Sequence, residues 1–379
     1  MTRPLTVMQV LPELEVGGVE RGTVEIARAL AAAGHRAIVV SGGGRLVAEL
    51  TRAGVEHVTL GIGVKRPWSL RHVHALARLM REAQVDVVHA RSRLPAWLAW
   101  LARARLPATR RPRWVTTVHG PYTVNRYSRI MVSGERVIAI SEFIRGYVER
   151  NYPDVPPERL RVIPRGVEPA RWPYRYVPPR GWQETFFEDY PHLLERTLLA
   201  LPARLTRWKG QEDFLELVAR LRAAGRDDVH GLVIGGAHPR KREFEHELHQ
   251  RATALGIDDA VSFLGQRNDL REVLAISRIA YSLTGEPEAF GRTTVEALSL
   301  GVPVIGYDHG GTGEILARLL PRGRVPVGDV DAAVIRTLAL LDDPQAATWR
   351  VPEQHPYTVA AMQQATLAIY DELCATRDA

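Results

Sequence analysis

The sequence alternates short apolar runs with helical stretches almost from end to end, and this alternation restricts the fold more than any other feature. In the first half, apolar runs that read as strands lie at 5–11, 36–41, 55–60, 85–90, 114–119 and 136–140. In the second half they lie at 197–203, 231–236, 260–265, 279–283 and 302–307. Between most of them apolar residues recur at helical spacing, as from Val19 to Gly34. The pattern predicts parallel, doubly wound α/β sheets.

The length of the chain predicts two domains. The 379 residues exceed the roughly 100–200 residues of an ordinary domain. The segment 164–191 holds six prolines and, between Trp172 and Trp182, little periodicity, so we expect a connector rather than a core element there. We place one α/β domain at 1–168 and a second at 169–355, with 356–379 as a terminal segment. Periodicity alone allows the final helix, from Thr358, to pack on either domain.

Composition is typical of a globular protein that does not cross a membrane. The chain is 45% hydrophobic and 25% charged, and no apolar run approaches the about 20 residues of a membrane span. Its N-terminus lacks the apolar core and cleavage site of a signal peptide. The single cysteine, Cys374, excludes an internal disulfide and a cysteine-cluster metal site, and we expect it to be inert. These features predict a cytoplasmic protein.

Positive charge is concentrated in a basic belt, which we define as residues 61–113. The whole chain carries +7, whereas this belt alone carries twelve Lys/Arg and two acids. Trp68, Trp97 and Trp100 are interleaved with these charges. The belt indicates an anionic partner, either a lipid surface, a nucleic acid or an acidic substrate. Solvated helix faces in an arginine-rich chain would produce the same pattern, and the two interpretations stay open here.

Candidate site residues follow the strands, because ligands of open α/β sheets bind outside the carboxyl ends of the strands. Gly17 and Gly18 come between the first strand and a helix, where backbone amides and the helix dipole favour an anion. His119 is the last residue of the apolar run 114–119 and could hydrogen-bond a substrate hydroxyl or move a proton. A Walker A sequence and a G-x-G-x-x-G after a strand are both missing, so a P-loop NTPase and an ordinary dehydrogenase are not supported.

Two cations follow the first strand of the second half. Arg204 and Lys209 lie five positions apart where a strand passes into a helix, and together they could hold a diphosphate. Arg207 lies between them and competes for this role.

Two glutamates flank the start of a helix in "PEAFGRTTVEA". Glu288 lies in the loop before the helix and Glu296 one to two turns inside it. Between them, the amides around Phe290, Gly291 and Arg292 form an unpaired helix N-terminus. This arrangement suits an anion flanked by hydroxyl-bearing groups, such as a diphosphate between a sugar and a ribose. A metal site or a glycosidase-type carboxylate pair is less favoured, because histidine ligands are missing and facing carboxylates would repel a diphosphate.

With these residues assembled, the chain resembles the retaining glycosyltransferases of family 4, which have the GT-B fold of two Rossmann-like domains facing across a cleft. The principal motif is "PEAFGRTTVEALSLGVPVIG", with its E-x7-E spacing. Supporting motifs occur in family order: "GGVE", "TVHG", "VIAISEFIRGYV", "VIPRGVE" and "ARLTRWKG". The resemblance implies that the last helix returns to the first domain. It also implies a nucleotide-sugar donor, no required cofactor or metal, and no nucleic-acid partner.

Roles carry over residue by residue from the resemblance. It implies that Glu288 and His119 are catalytic residues, with Glu288 contacting the transferred sugar and His119 the donor sugar through its 6-hydroxyl, and that Glu296 holds the ribose. The resemblance implies that the diphosphate is held by Arg204 and Lys209, by the amides of Phe290, Gly291 and Arg292, and by Gly17 and Gly18 from the first domain.

Two positions depart from the family pattern. Arg165 stands where the crossover usually has Asn, so we assign it no role, and the "HARSR" segment leaves acceptor contacts around His89 and Arg91 open. Within the family, "HGPYTVNRYSRIM" and "RWKGQEDF" with "HPRK" look most like lipopolysaccharide-core enzymes. That likeness predicts a lipid-linked saccharide acceptor and a position peripheral to the inner membrane, with the basic belt on the anionic lipid. A GT-B nucleotide-sugar epimerase and a non-catalytic binding protein remain as alternatives.

Overall fold

The computed structural model describes residues 3–15, 17–236, 243–343 and 347–378. The chain divides into two compact units, Met1–Arg165 with Val359–Ala379 as the first and Gly166–Thr358 as the second. The units change at 165/166 and at 358/359, and the limits 168/169 and 355/356 stay predictions.

The first unit is built on one parallel sheet of seven strands, in the order β3-β2-β1-β4-β5-β6-β7. The strands are β1 (Thr6–Val10), β2 (Arg36–Ser41), β3 (Glu56–Thr59), β4 (Val87–Ala90), β5 (Arg113–Val118), β6 (Arg136–Ala139) and β7 (Leu160–Val162). The helices that connect them are α1 (Gly18–Ala32), α2 (Val47–Arg52), α3 (Arg71–Glu82), α4 (Arg93–Ala104) and α5 (Glu142–Asn151). Strand order reverses next to β1, which pairs with both β2 and β4.

The second unit is built on a parallel sheet of six strands, in the order β10-β9-β8-β11-β12-β13. Its strands are β8 (Thr197–Pro202), β9 (Val229–Ile234), β10 (Val261–Gly265), β11 (Ile279–Ser282), β12 (Val304–Tyr307) and β13 (Arg324–Val325). Its helices are α6 (Arg180–Asp189), α7 (Gln211–Ala223), α8 (Glu243–Ala254), α9 (Leu270–Ala275), α10 (Arg292–Ser299), α11 (Gly310–Leu319) and α12 (Val330–Asp342). Strand order reverses here between β8 and β11.

Burial explains why the central strands are apolar on consecutive positions. Every residue of β4, β9 and β12 is buried. A parallel sheet has helices on both faces, so its inner strands need apolar side chains on both sides. Each strand expected from the sequence is present, and the predicted α/β class is confirmed. The short strands β7 and β13 were not predicted, because their three and two residues carry no readable period.

The last helix, α13 (Val359–Asp378), packs in the first unit. Its residues Met362, Ile369 and Leu373 are buried in one apolar cluster with residues of α1 such as Ile26. The predicted return of this helix to the first domain is confirmed. Cys374 also lies in this cluster, and burial raises the pKa of its thiol to about 11, which keeps it protonated and unreactive.

The segment 164–191 contains the change of unit at 165/166, as a connector would, but its expected lack of core structure is wrong, because α6 lies within it and contributes a buried residue. Phe186 on this helix is buried and stacks on Trp182, with ring centroids 4.9 Å apart. Trp182 also donates from Nε1 to Asp269 Oδ2 at 2.8 Å. One aromatic turn of helix is thus held by tertiary contacts that the proline-rich sequence around it does not reveal.

Candidate active site

Strand order in the second unit reverses between β8 and β11. Open α/β sheets bind ligands outside the carboxyl ends of their strands at such a reversal, so the loops after β8 and β11 form the candidate site. Lys209 follows β8 and Glu288 follows β11, and the structure brings them into a direct ion pair between Nζ and Oε1. Only 13% of the Lys209 side chain and 20% of the Glu288 side chain are exposed. Two residues that the sequence separates by 79 positions therefore form one charged group at the sheet edge.

Lys209 is fixed by the turn that leads into α7. Its backbone N–H donates to the Thr206 carbonyl at 2.9 Å, and its ammonium lies 4.2 Å from the centroid of the Trp208 ring. Gly285 N–H in turn donates to the Trp208 carbonyl at 2.8 Å, which ties the loop after β8 to the loop after β11. A cation over an aromatic face is stabilised electrostatically, so the ammonium has a defined position before any ligand arrives.

Arg204 and Arg207, the two arginine candidates for holding a diphosphate, differ in their contacts. Arg207 donates from Nη2 to Glu247 Oε1 at 2.7 Å and lies 5.0 Å from the centroid of the Phe244 ring, so its charge is directed to α8. Arg204 is exposed, and within the described part of the chain it takes part in no ion pair. Its carbonyl accepts a hydrogen bond from Gln211 Nε2 at 2.9 Å. Arg204 is therefore the better placed of the two to receive an anion.

Helix α10 begins directly after the loop that follows β11 and carries Glu288. Gly291 precedes the helix in the left-handed conformation, with φ 94°, where glycine is favoured. Val295 N–H donates to the Gly291 carbonyl at 3.3 Å, so the amides before Val295 lie ahead of the helical hydrogen-bond ladder. The positive end of the helix dipole therefore faces the loop that carries Glu288.

Helix α11 contacts the loop after β11 that carries Glu288. Gly311 N–H donates to the Glu288 carbonyl at 2.7 Å, and a Cβ at Gly311 would lie 2.1 Å from the Phe290 carbonyl oxygen. Phe290 is buried, with its ring edge against Tyr357 at 5.8 Å between centroids. Only glycine at 311 allows this approach, so the position of Glu288 depends on a helix that follows it in sequence.

Glu296 lies in a different environment from Glu288. It lies in the middle of α10, and its Oε1 is 3.6 Å from Arg292 Nε, with 14% and 26% of the two side chains exposed. Arg292 also donates from Nη2 to the Gly166 carbonyl at 3.3 Å. The two glutamates thus have different cationic partners, Lys209 for Glu288 and Arg292 for Glu296.

In the first unit, the strand reversal next to β1 places α1 at the corresponding edge. Gly17 precedes α1 and Gly18 is its first residue, and Arg21 N–H donates to the Gly17 carbonyl at 3.0 Å. No side-chain hydrogen bond caps this helix at Gly17, and the Glu20 carboxylate of its first turn lies beside Gly17, where a Cβ would be 2.2 Å from Glu20 Oε2.

His119 follows β5 and contacts a residue to which the sequence assigned no role. Arg165 Nη2 lies 2.6 Å from His119 Nδ1. Burial, and then the positive charges of Arg165 and Arg91 and the nearby His89, hold the pKa of His119 well below its ordinary value. The other ring nitrogen, Nε2, is shielded from solvent and has no hydrogen-bond partner among the described residues. The only sequence signal for Arg165 was its departure from the family pattern.

His89 and Arg91 are interior residues. His89 is hydrogen-bonded at both ring nitrogens, to Tyr370 Oη and to Thr117 Oγ1, each at 2.6 Å. Arg91 donates from Nε and Nη2 to Gln9 Oε1 at 3.0 and 2.5 Å, and burial lowers its pKa to about 10. Their polar atoms are engaged within the domain, so acceptor contacts are not expected from them.

Within the ranges that the structure describes, no group of three or more His, Cys, Asp and Glu side chains is arranged to hold a metal ion.

Comparison with known proteins agrees with this architecture. A model of Glycosyltransferase Family 4 matches residues 16–171, and a model of Glycosyl transferases group 1 matches residues 183–351. Two Rossmann-like units of seven and six parallel strands define the GT-B class. The chain belongs to the family 4 glycosyltransferases.

Individual relatives are more distant. The crystal structure of a glycosyltransferase from Rickettsia africae ESF-5 is 28% identical, with a TM-score of 0.88 over 98% of this chain and 99% of that chain. Anabaena HepE in complex with UDP and glucose is 18% identical, with a TM-score of 0.79 over 97% of this chain and 100% of that one. The lipopolysaccharide core biosynthesis mannosyltransferase LpsB of Rhizobium meliloti is 28% identical over 145 residues, which are 37% of this chain and 40% of LpsB. The chain spans about half the length, 53%, of the first curated relatives it matches.

Proposed function

We propose that this protein is a retaining glycosyltransferase that moves a hexosyl group from a nucleoside-diphosphate sugar to a lipid-linked saccharide, with the lipopolysaccharide core as acceptor. The observation that carries the proposal is the Lys209–Glu288 pair beside the N-terminus of α10. It puts a cation, a hydrogen-bond acceptor and the positive end of a helix dipole at one sheet edge.

Each part of the donor has a matching group in the second unit. Lys209 and Arg204 attract the diphosphate, together with the amides of Phe290, Gly291 and Arg292. Glu288 accepts hydrogen bonds from hydroxyls of the transferred sugar, and Glu296 accepts them from the ribose. The UDP and glucose complex of HepE supports a nucleotide-sugar as the donor, as does the family itself. Gly17, Gly18 and His119 stay predictions for contacts from the first domain.

Catalysis in this proposal is electrostatic. As the bond between the sugar and the diphosphate breaks, negative charge develops on the leaving phosphate oxygen. Preorganised cations and helix amides stabilise that charge without reorganisation, which is often the largest single contribution to rate. The mechanism uses no metal ion and no covalent protein nucleophile, and the leaving phosphate takes the proton of the acceptor hydroxyl as attack occurs from the same face. Retention of anomeric configuration follows from that front-face attack.

The acceptor side is supported by the match to LpsB and by the basic belt. Within the belt, Trp68 is 55% exposed and Leu70 is 60% exposed on the 3₁₀ helix Pro67–Leu70, and the Arg66 guanidinium lies 5.2 Å from the Trp68 ring centroid. Exposed aromatic and aliphatic side chains beside arginines suit the headgroup region of an anionic membrane. No helix of the described ranges is long and apolar enough to cross a membrane. The proposal places the protein at the cytoplasmic surface of the inner membrane.

The Trp97/Trp100 segment contributes less to such a surface than its sequence suggests. Trp97 is half-buried and donates from Nε1 to the Tyr127 carbonyl at 2.9 Å, and Trp100, which packs edge-on against it, is 38% exposed. The proposed membrane contact is therefore centred on Trp68 and Leu70.

A screen of UDP-, GDP- and ADP-sugars by thermal shift tests the donor, because a ligand that binds the native state raises the melting temperature. We expect one base to give a clear shift. Transfer to purified lipopolysaccharide core, followed by NMR of the anomeric centre, tests acceptor and retention, and activity in EDTA tests metal independence. A donor converted to a different free sugar, with no transfer to any acceptor, would establish the epimerase alternative instead.

A further inference from the structure

We infer that Arg165, which packs on Gly22, is a positioning residue for His119. It fixes His119 as a hydrogen-bond donor through Nε2, so the ligand atom that faces His119 is an acceptor oxygen. The identity of that ligand, a nucleotide-sugar, rests on the proposed function. The state of His119 rests only on contacts within the first unit.

The direction of the Arg165–His119 hydrogen bond follows from chemistry. A guanidinium has only N–H donors, so at 2.6 Å the Arg165 Nη2 donates and His119 Nδ1 must accept. A neutral imidazole that accepts at one nitrogen carries its proton on the other. The proton of neutral His119 is therefore on Nε2.

The surroundings of His119 keep the ring neutral. The charges that act on it come from Arg165 at the end of the first unit, from Arg91 after β4 and from His89 on β4, and all three groups are basic. Tyr122 Oη accepts from the His119 backbone N–H at 3.3 Å and adds no charge, because its own pKa is raised by burial. A second proton on His119 would place three cations in one buried region.

The other ring nitrogen of His119, Nε2, is not hydrogen-bonded to Arg165. Nε2 is shielded from solvent and has no hydrogen-bond partner among the described residues. A buried N–H donor without an acceptor is costly, and proteins retain such groups mainly where a ligand, ion or water completes them. A sugar hydroxyl oxygen or a phosphoryl oxygen supplies the acceptor that this N–H lacks.

Gly22 makes room for the guanidinium. A Cβ built on Gly22 would lie 2.5 Å from Arg165 Nη1, which is closer than packed atoms approach. Arg91 Nη2 also lies 3.4 Å from the Gly22 carbonyl oxygen, so both arginines meet α1 at this residue. Glycine in the middle of a helix is unfavourable by itself, and here it is explained by the space that Arg165 occupies.

This arrangement decides between the two roles that the sequence left open for His119. Nδ1 is occupied by Arg165 and Nε2 already carries a proton, so the ring has no lone pair with which to remove a proton from a substrate. His119 can recognise an oxygen by donating to it. A donor sugar in which the facing hydroxyl is replaced by hydrogen should therefore bind more weakly.

NMR of the ligand-free protein with ¹⁵N-labelled histidine tests the inference directly, with the His119 signal assigned by its loss in His119→Gln. We expect the Nε2–H tautomer, unchanged from roughly pH 8 to pH 5. In Arg165→Met, which keeps the volume and removes the donor, we expect both tautomers and an acidic titration. Arg165→Lys restores a donor and should restore part of the wild-type pattern.

Gly22→Ala provides a second route that leaves both side chains chemically intact. The added Cβ displaces Arg165, so His119 should titrate as in Arg165→Met, and KM for the donor should rise about tenfold with a smaller change in kcat. Gly181→Ala is the matched control, because it also adds a methyl group to a helix and a Cβ there meets nothing within 4 Å.

A wild-type His119 with its proton on Nδ1, or a titration unaltered by Arg165→Met and Gly22→Ala, overturns the inference. The two proposals fail separately. If the tautomer is as expected and no nucleotide-sugar binds, only the proposed function is wrong, whereas sugar transfer by a protein with the other tautomer contradicts only the role of Arg165.

Discussion

Lys209 and Glu288 neutralise one another across two loops of the second unit, with 13% and 20% of their side chains exposed. The pair lies where strand order reverses between β8 and β11, the edge at which open α/β sheets bind ligands. In the proposed complex, Lys209 would contact the diphosphate and Glu288 would contact the sugar. Binding would thus exchange one internal ion pair for two contacts to the ligand, and the cost of burying either charge alone would be avoided.

Replacement of Lys209 by alanine should weaken binding of the nucleoside diphosphate that the thermal-shift screen selects, taken here as UDP, by about ten- to hundredfold, because a charge-assisted hydrogen bond to the diphosphate is lost and Glu288 is left without its partner. Isothermal titration calorimetry measures the change. Arg207→Ala is the matched control, since Arg207 is paired with Glu247 and should leave UDP affinity unchanged. Equal affinities for wild type and Lys209→Ala would show that the diphosphate site is misplaced.

The two glutamates should behave in opposite ways towards UDP. Glu288→Gln removes a negative charge beside Lys209, so UDP should bind about twofold to fivefold more tightly while turnover of the donor falls. Glu296→Gln should weaken UDP about tenfold and leave inorganic pyrophosphate unaffected, because only UDP carries a ribose. Calorimetry with both ligands separates these outcomes. Loss of pyrophosphate affinity in Glu296→Gln would assign Glu296 to the diphosphate instead.

The fold could be predicted from the sequence because buried parallel strands leave long apolar runs. Strands of four or more residues were all identified, whereas β7 and β13 are too short to show a pattern. The helix α6 was missed for a different reason. It is held by contacts such as the Trp182–Asp269 hydrogen bond, whose partners are 87 positions apart, and no local pattern encodes such a contact.

The residues of the candidate site also divide into those that the sequence predicts and those that it does not. Lys209 and Glu288 could be selected by their positions after strands, and the chain topology explains why they meet. The contact between Arg165 and His119 could not be predicted, because the two residues are 46 positions apart and the family pattern has a different residue at 165. Long-range polar pairs depend on side-chain directions in the folded domain, which spacing along the chain does not specify.

Membrane attachment should depend on Trp68 and Leu70. Trp68→Ala with Leu70→Ala removes exposed apolar area beside the arginines of the basic belt and should reduce binding to vesicles of phosphatidylglycerol and phosphatidylethanolamine about tenfold or more. Vesicle co-sedimentation measures this. Val177→Ala with Leu194→Ala, at exposed apolar positions of the second unit, serves as control and should bind normally. Full binding by the Trp68 and Leu70 variant would remove this surface from the proposal.

Tyr370 should be important for attachment of α13 to the first unit. Its hydroxyl contacts the buried His89 Nδ1 at 2.6 Å, so Tyr370→Phe leaves that nitrogen unsatisfied and should cost about 1–3 kcal/mol of unfolding free energy. Hydrogen exchange should show faster exchange of α13 amides. Tyr281→Phe, which breaks a buried contact to Thr337 of 2.8 Å in the second unit, should leave α13 protection unchanged. Unaltered α13 protection in Tyr370→Phe would contradict this role.

The second unit should lose stability in acid through His230, a buried residue of β9 whose Nε2 is 2.9 Å from Ser262 Oγ. Burial, and then the neighbouring His192 and Arg196, lower the pKa of His230 to about 4. Between about pH 6.5 and pH 4, the unfolded chain, with a histidine pKa near 6.5, binds a proton at this residue that the folded protein does not bind. Stability is therefore present above about pH 6.5 and is lost as pH falls towards about 4, by up to about 3 kcal/mol.

Urea unfolding at a series of pH values from about 7 to 4 measures this loss. His230→Gln cannot take up the proton, so its unfolding free energy should fall less over the same range, although it is lower than that of the wild type at neutral pH because the packing around Ser262 changes. His246→Gln, at an exposed position of α8, should keep the wild-type dependence. If His230→Gln and the wild type lose the same free energy between these pH values, the burial of a neutral His230 is not what makes this unit sensitive to acid.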